Sequence, residues 1–358
     1  MRRRTMLGLG AMALVAAGAG LAVRDYRQVL DAARAAIAAA GPPRQAPSRF
    51  GPQEYAEAGQ GPPVLVIHGT GGGYDQGLLF AHRLIAGGFR VIAPSRFGYL
   101  GTPFPADAGP EAQADALADL LDALDLPSVA VIGGSAGAIP ALALALRHPA
   151  RVRALVPLVP ATYVTGRPAP PPPDPVAGWI IAHGLRSDVL VWAGIRAAER
   201  RMIATLLATD PQLVDAAAPD EQARVRAILH GILPVSLKYQ GLLNDARWAA
   251  APPDFPLAAI AAATLAISAE DDRFGTTAAA RHVARSVPGA ELMILPSGGD
   301  VRVGHDAAIM VRIAAFLETV GQGRVRPGPA SPCSWPVRAS APAASRRRAP
   351  RSAGSARG

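Results

Sequence analysis

The stretch Val129-Ala-Val-Ile-Gly-Gly-Ser-Ala-Gly137 decides the fold, because it has the pattern of a strand that turns sharply into a helix. Residues 129–132 form a short apolar, β-rich run, and residues 138–147 have helical character. Between them, Ser135 stands in a G-x-S-x-G pattern with only small neighbours. Such a turn strains the serine backbone and projects the hydroxyl above the sheet edge, at a helix N-terminus. A Gly-Ser-Gly loop without catalytic meaning is the alternative, and the flanking strand and helix argue against it.

Further apolar runs repeat along the chain and alternate with helical stretches. They lie at residues 64–67, 90–93, 154–158, 264–267 and 291–295. Strands that are apolar on both faces are typical of a parallel sheet covered by helices. The alternation predicts an α/β fold with a mostly parallel central sheet that is flanked by helices.

One long segment, residues 166–256, breaks this alternation because it contains no convincing strand. It opens with the proline-rich residues 166–175 and closes with Ala-Pro-Pro-Asp-Phe-Pro256. Within it, Asp210-Pro211 resembles an N-cap followed by proline at the first helical position. We therefore expect a helical cap over the carboxyl-terminal edge of the sheet, inserted between two parts of the core at residues 54–165 and 257–321.

Composition agrees with a folded body that has two unusual ends. Of the 358 residues, 50% are apolar, which is enough for a sizeable core. The formal net charge of +9 arises from the ends, because residues 2–4 are arginines and residues 322–358 hold eight arginines and no acid. The body is slightly acidic, so the charge does not predict a nucleic-acid partner. A single cysteine, Cys333, excludes a disulfide within the chain and a Cys-based metal site.

The two ends of the chain are predicted to be a targeting segment and a tail. Residues 1–23 combine Met-Arg-Arg-Arg-Thr with an apolar run, which indicates an export signal or a membrane anchor. In either case the body would be extracytoplasmic, and membrane contact would run through this segment; a buried N-terminal helix is the alternative. Residues 24–53 are predicted to be a helical linker, and residues 322–358 a disordered basic tail.

A serine hydroxyl needs a base before it can act as a nucleophile. In this architecture the chain order is serine, then acid, then histidine. Of seven histidines, only His305 follows the last predicted strand, in the loop Pro296-Ser-Gly-Gly-Asp-Val-Arg-Val-Gly-His305. The acid should lie in the loop that follows the strand at residues 264–267. Asp272 is our choice there, and Asp271 stays open as the runner-up.

Oxyanion stabilisation needs two preorganised N–H donors. One should be the backbone of Ala136, directly after the nucleophile. The other should come from the glycine-rich loop His68-Gly-Thr-Gly-Gly-Gly73, where Thr70 is favoured and Gly71 remains an alternative. No G-K-[ST] follows this loop, which argues against a phosphate-binding loop.

Together these motifs resemble the α/β-hydrolase fold superfamily over about residues 54–318. The resemblance rests on His68-Gly69, on Ser95-Arg-Phe-Gly-Tyr-Leu-Gly-Thr102, on residues 133–137, on Glu270-Asp-Asp272 and on Gly304-His305. It implies the acid at Asp272 and a cap between the sixth and seventh strands. Three positions depart from the superfamily pattern: Ser95, Gly134 and Ala269.

The predicted function is that of a serine hydrolase, most simply a carboxylic-ester hydrolase, with a Ser135–His305–Asp272 triad and an acyl-enzyme. Its partner would be a small ester or related acyl substrate, with no metal or organic cofactor. Alternatives are carbon–carbon bond hydrolysis or cofactor-free haloperoxidase activity on the same fold, and a catalytically silent, membrane-tethered binding protein. Fold alone does not choose among these reactions.

Overall fold

A twisted sheet of eight strands forms the centre of the computed structural model, which describes residues 2–166 and 184–323, with side chains from residue 16 onward. The strand order is β1-β2-β4-β3-β5-β6-β7-β8, in which β1 and β2 pair antiparallel and the six strands from β3 to β8 run parallel. The strands are β1 Arg44–Ala46, β2 Gln53–Ala58, β3 Pro63–Ile67, β4 Arg90–Pro94, β5 Val129–Gly134, β6 Val152–Leu158, β7 Ala263–Ala269 and β8 Glu291–Leu295.

Helices cover both faces of this sheet, so that the parallel strands are buried on each side. The helices of the core are α1 Arg2–Ala39, α2 Tyr74–Phe80, α3 His82–Ala86, α4 Pro110–Ala123, α5 Ala138–Arg147, α10 Thr276–Ser286 and α11 Asp306–Gly321. One apolar cluster lies beneath α4, α5 and α10, and a second lies beneath α2, α3 and α11. The sheet and the two helical layers confirm the predicted fold class.

All six predicted parallel strands are present, and the two strands at one end of the sheet, β1 and β2, were missed. β2 carries Gln53, Glu54 and Glu57, so its sequence lacks the apolar run by which the other strands are found. Its pairing with β4 fixes it in the sheet, with Tyr55 opposite Pro94. The predicted helical linker at residues 24–53 is therefore helical only as far as Ala39, after which the chain forms β1.

The cap is helical in its described part. Its helices are α6 Asp188–Leu206, α7 Pro211–Ala216, α8 Pro219–His230 and α9 Tyr239–Ala250. Asp210 caps α7 as predicted, because its carboxylate accepts a hydrogen bond from the Gln212 N–H at 2.9 Å. The proline-rich hinge predicted at residues 166–175 and the basic tail predicted at residues 322–358 fall almost entirely outside the described residues.

The long helix α1 packs against the cap through its second half. Leu30 is buried in the same apolar cluster as cap residues, and the Asp25 carboxylate accepts hydrogen bonds from Trp192 and Arg196 on α6. Within residues 2–166 and 184–323, no helix is both long and apolar enough to cross a membrane. Export through residues 1–23 stays a prediction.

Candidate active site

The candidate nucleophile stands where β5 turns into α5, in the middle of the sheet. Ser135 has a φ of 49°, in the left-handed region that residues other than glycine rarely enter. Neighbouring chain leaves no room for larger residues: a Cβ on Gly137 would lie 2.5 Å from the carbonyl oxygens of Ile67 and His68, and one on Gly133 would lie 2.6 Å from the Gly137 oxygen. The predicted elbow is therefore present, and its small residues are required by contact with the backbone.

The loop after β3 lies beside the elbow and lines the cavity at Ser135 with Gly69 and Thr70. The Gly69 N–H donates to the Gln76 side chain at 3.0 Å, and the Gly71 N–H donates to the Tyr99 hydroxyl at 3.3 Å. These bonds occupy the donors on both sides of Thr70. Thr70 and Ala136 both line the cavity at Ser135. Their N–H groups remain our choice for the oxyanion site, and the bond to Tyr99 disfavours Gly71.

A buried charge network holds the carbonyl side of the same loop. Arg96 donates from Nε to the His68 oxygen at 3.0 Å and from Nη2 to the Gly69 oxygen at 3.1 Å. Its guanidinium also forms two bonds of 2.5 and 2.6 Å with the carboxylate of Asp245 on α9. Tyr99 donates to the same carboxylate at 2.5 Å. A cap side chain thus neutralises the arginine that fixes the oxyanion loop.

His68 is structural in this arrangement. Its Nε2 accepts from the Arg96 N–H at 3.0 Å and its Nδ1 lies 2.7 Å from the Gly69 oxygen, so the proton is assigned to Nδ1. Burial, with the nearby charge of Arg96, lowers the pKa of the imidazole well below its usual value. A neutral ring that is hydrogen-bonded on both sides is not available as the base.

The only lysine of the chain also contacts this loop. Lys238 is fully buried, and its Nζ donates to the carbonyl oxygens of Gly71, at 3.2 Å, and Gly231. Burial lowers the pKa of this ammonium group. The loop after β3 is therefore fixed by two buried cations from outside it, and the sequence predicted this contact for neither of them.

The acid loop after β7 places its two neighbouring aspartates in different roles. Asp271 accepts hydrogen bonds from the N–H groups of Gly298 and Gly299, at 3.1 and 2.9 Å, and so holds the loop after β8. Asp272 is buried and accepts from the Phe274 N–H at 2.8 Å and from the Thr276 hydroxyl. Burial raises the pKa of Asp272, and the charge of Asp271 adds to the rise. The charge of Asp272 also acts on a second buried carboxyl group, which lines the cavity at Ser135.

That group is Asp300, in the loop after β8. Asp300 lines the same cavity as Ser135. Burial, with the charge of Asp272 adding to it, raises the pKa of the Asp300 carboxyl to about 8, while Arg302 and the Ser135 hydroxyl act in the opposite sense. Among the described residues, its Oδ1 atom has no hydrogen-bond partner. Sequence reasoning passed over this residue.

His305 is not brought to the serine. It stands half-buried at the start of α11, where its backbone N–H donates to the Arg302 oxygen at 3.0 Å. In the part of the chain that the structure describes, it does not line the cavity at Ser135. The reason is the length of the loop: Gly298 and Gly299, both with positive φ, turn the chain so that Asp300 reaches the elbow. The five later residues lead away into the helix.

The loop after β8 also buries a guanidinium group. Arg302 is 2% exposed, and its Nη2 lies 4.0 Å from the Asp306 carboxylate. Within the described chain its Nε and Nη2 have no hydrogen-bond partner. Burial, together with the charge of Arg224, lowers the pKa of this group to about 10. A cation in this position favours ionisation of Asp300, so it limits the rise of the carboxyl pKa.

The cavity above Ser135 has a volume of about 310 Å³, at the small end of the range for ligand sites. Its floor is formed by the elbow, the loop after β3 and Asp300, and its upper wall by apolar cap side chains that include Leu206, Ile228 and Leu242. Across residues 2–166 and 184–323, no group of three or more metal-binding side chains occurs. The arrangement can hold a small, largely apolar molecule against a serine, two carboxyl groups and the N–H groups beside them.

Comparison with known proteins assigns the chain to a family. Residues 62–301 match the family model of the alpha/beta hydrolase fold. The chain belongs to the α/β-hydrolase fold family. The matched residues include Ser135, Asp272 and Asp300, and they end before His305. The predicted membership is confirmed, and with it the assignment of the chain to a family of hydrolases.

Individual α/β hydrolases match parts of the chain. A 2-hydroxymuconate semialdehyde hydrolase of Pseudomonas sp. strain CF600 is 40% identical over 106 residues, which are 28% of this chain and 37% of that protein. Lipase 1 of Psychrobacter immobilis is 39% identical over 106 residues, 28% of this chain and 33% of that protein. The matches thus span less than half the length of these relatives. An alpha/beta hydrolase fold protein from Nakamurella multipartita is 26% identical with a TM-score of 0.59, covering 78% of this chain and all of that one.

Proposed function

We propose that this α/β hydrolase cleaves a small carboxylic ester through an acyl-enzyme formed on Ser135. The observation that carries the proposal is the serine at positive φ on the elbow, half-buried at the floor of a cavity that Thr70 and Ala136 also line. Ser135 Oγ would bond to the acyl carbon, and the two backbone N–H groups would hold the oxyanion. Water would then release the acid. The relative named a lipase supports ester chemistry.

A second candidate reaction is hydrolysis of a carbon–carbon bond. It is favoured by the relative named for 2-hydroxymuconate semialdehyde, a substrate whose name contains no ester. The same nucleophile and the same oxyanion donors would serve a carbonyl carbon whose leaving group is carbon. Such a leaving group needs a proton delivered to carbon, so this reaction makes a stronger demand on the acid beside Ser135.

Labelling and turnover test both candidates. Purified full-length protein is treated with a fluorophosphonate probe, and p-nitrophenyl esters of two to eight carbons are compared with 2-hydroxymuconate semialdehyde as substrates. We expect covalent labelling and ester turnover, both abolished in Ser135→Ala. Ser297→Ala is the matched control, because Ser297 lies on the neighbouring loop and does not line the cavity in the described part of the chain. If the folded wild-type protein is neither labelled nor active, the proposal is rejected, and a catalytically silent binding protein remains as the alternative.

A further inference from the structure

The proposed function leaves open which group removes the serine proton. Among the titratable side chains of the loops after β7 and β8, we compare Asp272, Asp300 and His305 as the base. His305 does not line the cavity in the described part of the chain, and Asp272 uses both carboxylate oxygens in hydrogen bonds to the loop that follows it. Of the three, Asp300 alone lines the cavity together with Ser135, and among the described residues its buried Oδ1 atom has no hydrogen-bond partner.

We propose that Asp300 is the catalytic base and acid for Ser135, and that Asp272 is the positioning residue that tunes it. This inference rests on the proposed function, since it concerns the same serine. It assigns to a buried carboxyl group the proton transfer for which an imidazole was expected from the sequence.

The surroundings make such a carboxyl suitable for the task. An ordinary aspartate is too weak a base to accept a proton from a serine hydroxyl efficiently, because proton transfer works best when the pKa lies near the working pH. Burial and the neighbouring Asp272 bring the pKa of Asp300 to about 8. The positive charge of Arg302, on the same loop, opposes a larger rise of the Asp300 pKa. A further charged residue, Asp245 of the cap, lines the same cavity. The result is a carboxyl group in the range where imidazole normally acts.

The proton moves in a balanced cycle. Ionised Asp300 accepts the Ser135 hydroxyl proton while Oγ bonds to the acyl carbon, and the carbonyl π electrons move to the oxygen held by the N–H groups of Thr70 and Ala136. Collapse of that intermediate breaks the bond to the leaving group, which departs with the proton from Asp300. A water molecule then repeats both steps and frees the serine.

The test combines substitutions with a pH profile of the full-length protein. Asp300→Asn keeps the shape of the side chain but cannot accept the proton, so fluorophosphonate labelling and ester turnover should fall at least 100-fold. His305→Gln should retain both within about threefold. Asp300→His should restore at least a tenth of the wild-type rate and move the rising limb of the pH profile downward, since an imidazole titrates near 6.5. Circular dichroism of each variant checks that it folds.

The wild-type labelling rate gives a second measurement that needs no variant. It should rise with pH through an apparent pKa near 8, the value set by the Asp300 environment. A rise centred near 6.5 would overturn the inference, as would full activity of folded Asp300→Asn or a 100-fold loss in His305→Gln. In those cases labelling that still depends on Ser135 would leave the proposed function standing. Labelling that does not depend on Ser135 would reject the proposed function itself.

Discussion

The buried pair between the core and the cap gives the sharpest stability prediction. Arg96 and Asp245 have side chains only 3% and 5% exposed, and they are joined by two short hydrogen bonds. Asp245→Asn keeps the size of the side chain but removes its charge, so the Arg96 guanidinium remains buried without a counterion. Removing one partner of a buried pair costs about 3–5 kcal/mol, a large part of the 5–15 kcal/mol that typical domains have.

That cost can be measured by denaturation. At roughly 2–4 °C per kcal/mol, Asp245→Asn should lower Tm by about 6–20 °C, and urea unfolding should show a lower midpoint. The matched control is Glu199→Gln, which breaks the ion pair with Arg226, whose partners are 49% and 38% exposed. That pair should contribute at most about 1 kcal/mol.

The same substitution should affect turnover, because Arg96 also binds the carbonyl oxygens of His68 and Gly69. We expect kcat of Asp245→Asn to fall about tenfold at a temperature where the variant is folded. The double variant Arg96→Met/Asp245→Leu, which removes both charges, should recover part of the lost stability but not the turnover. If Asp245→Asn costs no more than Glu199→Gln, the reasoning about this buried pair is wrong.

Three further predictions concern the elbow, the loop after β8 and the dependence of stability on pH. Gly137→Ala should destabilise the protein by about 1–3 kcal/mol, since its Cβ would lie 2.5 Å from two carbonyl oxygens, whereas Gly321→Ala, with nothing within 4 Å, should be close to neutral in the same melts. Asp271→Ala leaves two loop N–H groups without their acceptor and should cost about 2 kcal/mol by urea unfolding, with slower labelling of the serine. Finally, folding raises the pKa of Asp300 from 3.8 to about 8, so the folded state holds a proton that the unfolded state releases in this window. Stability should therefore fall as pH rises from about 4 to about 8, and Asp300→Asn should flatten this decline; an unchanged slope in the variant would contradict the assignment.

The sequence predicted the parts of the fold whose signals are local. Six strands with continuous apolar runs, the N-cap at Asp210 and the elbow at Ser135 follow from the chemistry of a few neighbouring residues. β2 could not be found in this way, because its polar residues form a strand only through pairing with β4.

The candidate site was harder to predict because it depends on the paths of loops. His305 was chosen as the only histidine after the last strand, a choice made by residue type. Asp300 differs from it in its position along the loop. Asp300 follows the end of β8 by five residues, and two glycines turn the chain there toward the elbow. The position of an acid directly after Gly298-Gly299 was a usable signal. No sequence signal predicted the contacts of Arg96 and Lys238 with the loop after β3, because these contacts join segments that are far apart in the chain.

The position of Asp245 on α9 has a consequence for engineering this protein. Caps of related enzymes are attractive units to exchange when a new substrate is wanted. Here the incoming unit would need a carboxylate at the matching point of its last helix, because the host retains a guanidinium directly below the transplant. A chimera without that carboxylate would leave the buried Arg96 charge uncompensated against the loop after β3, so restoring the acid should be the first substitution made.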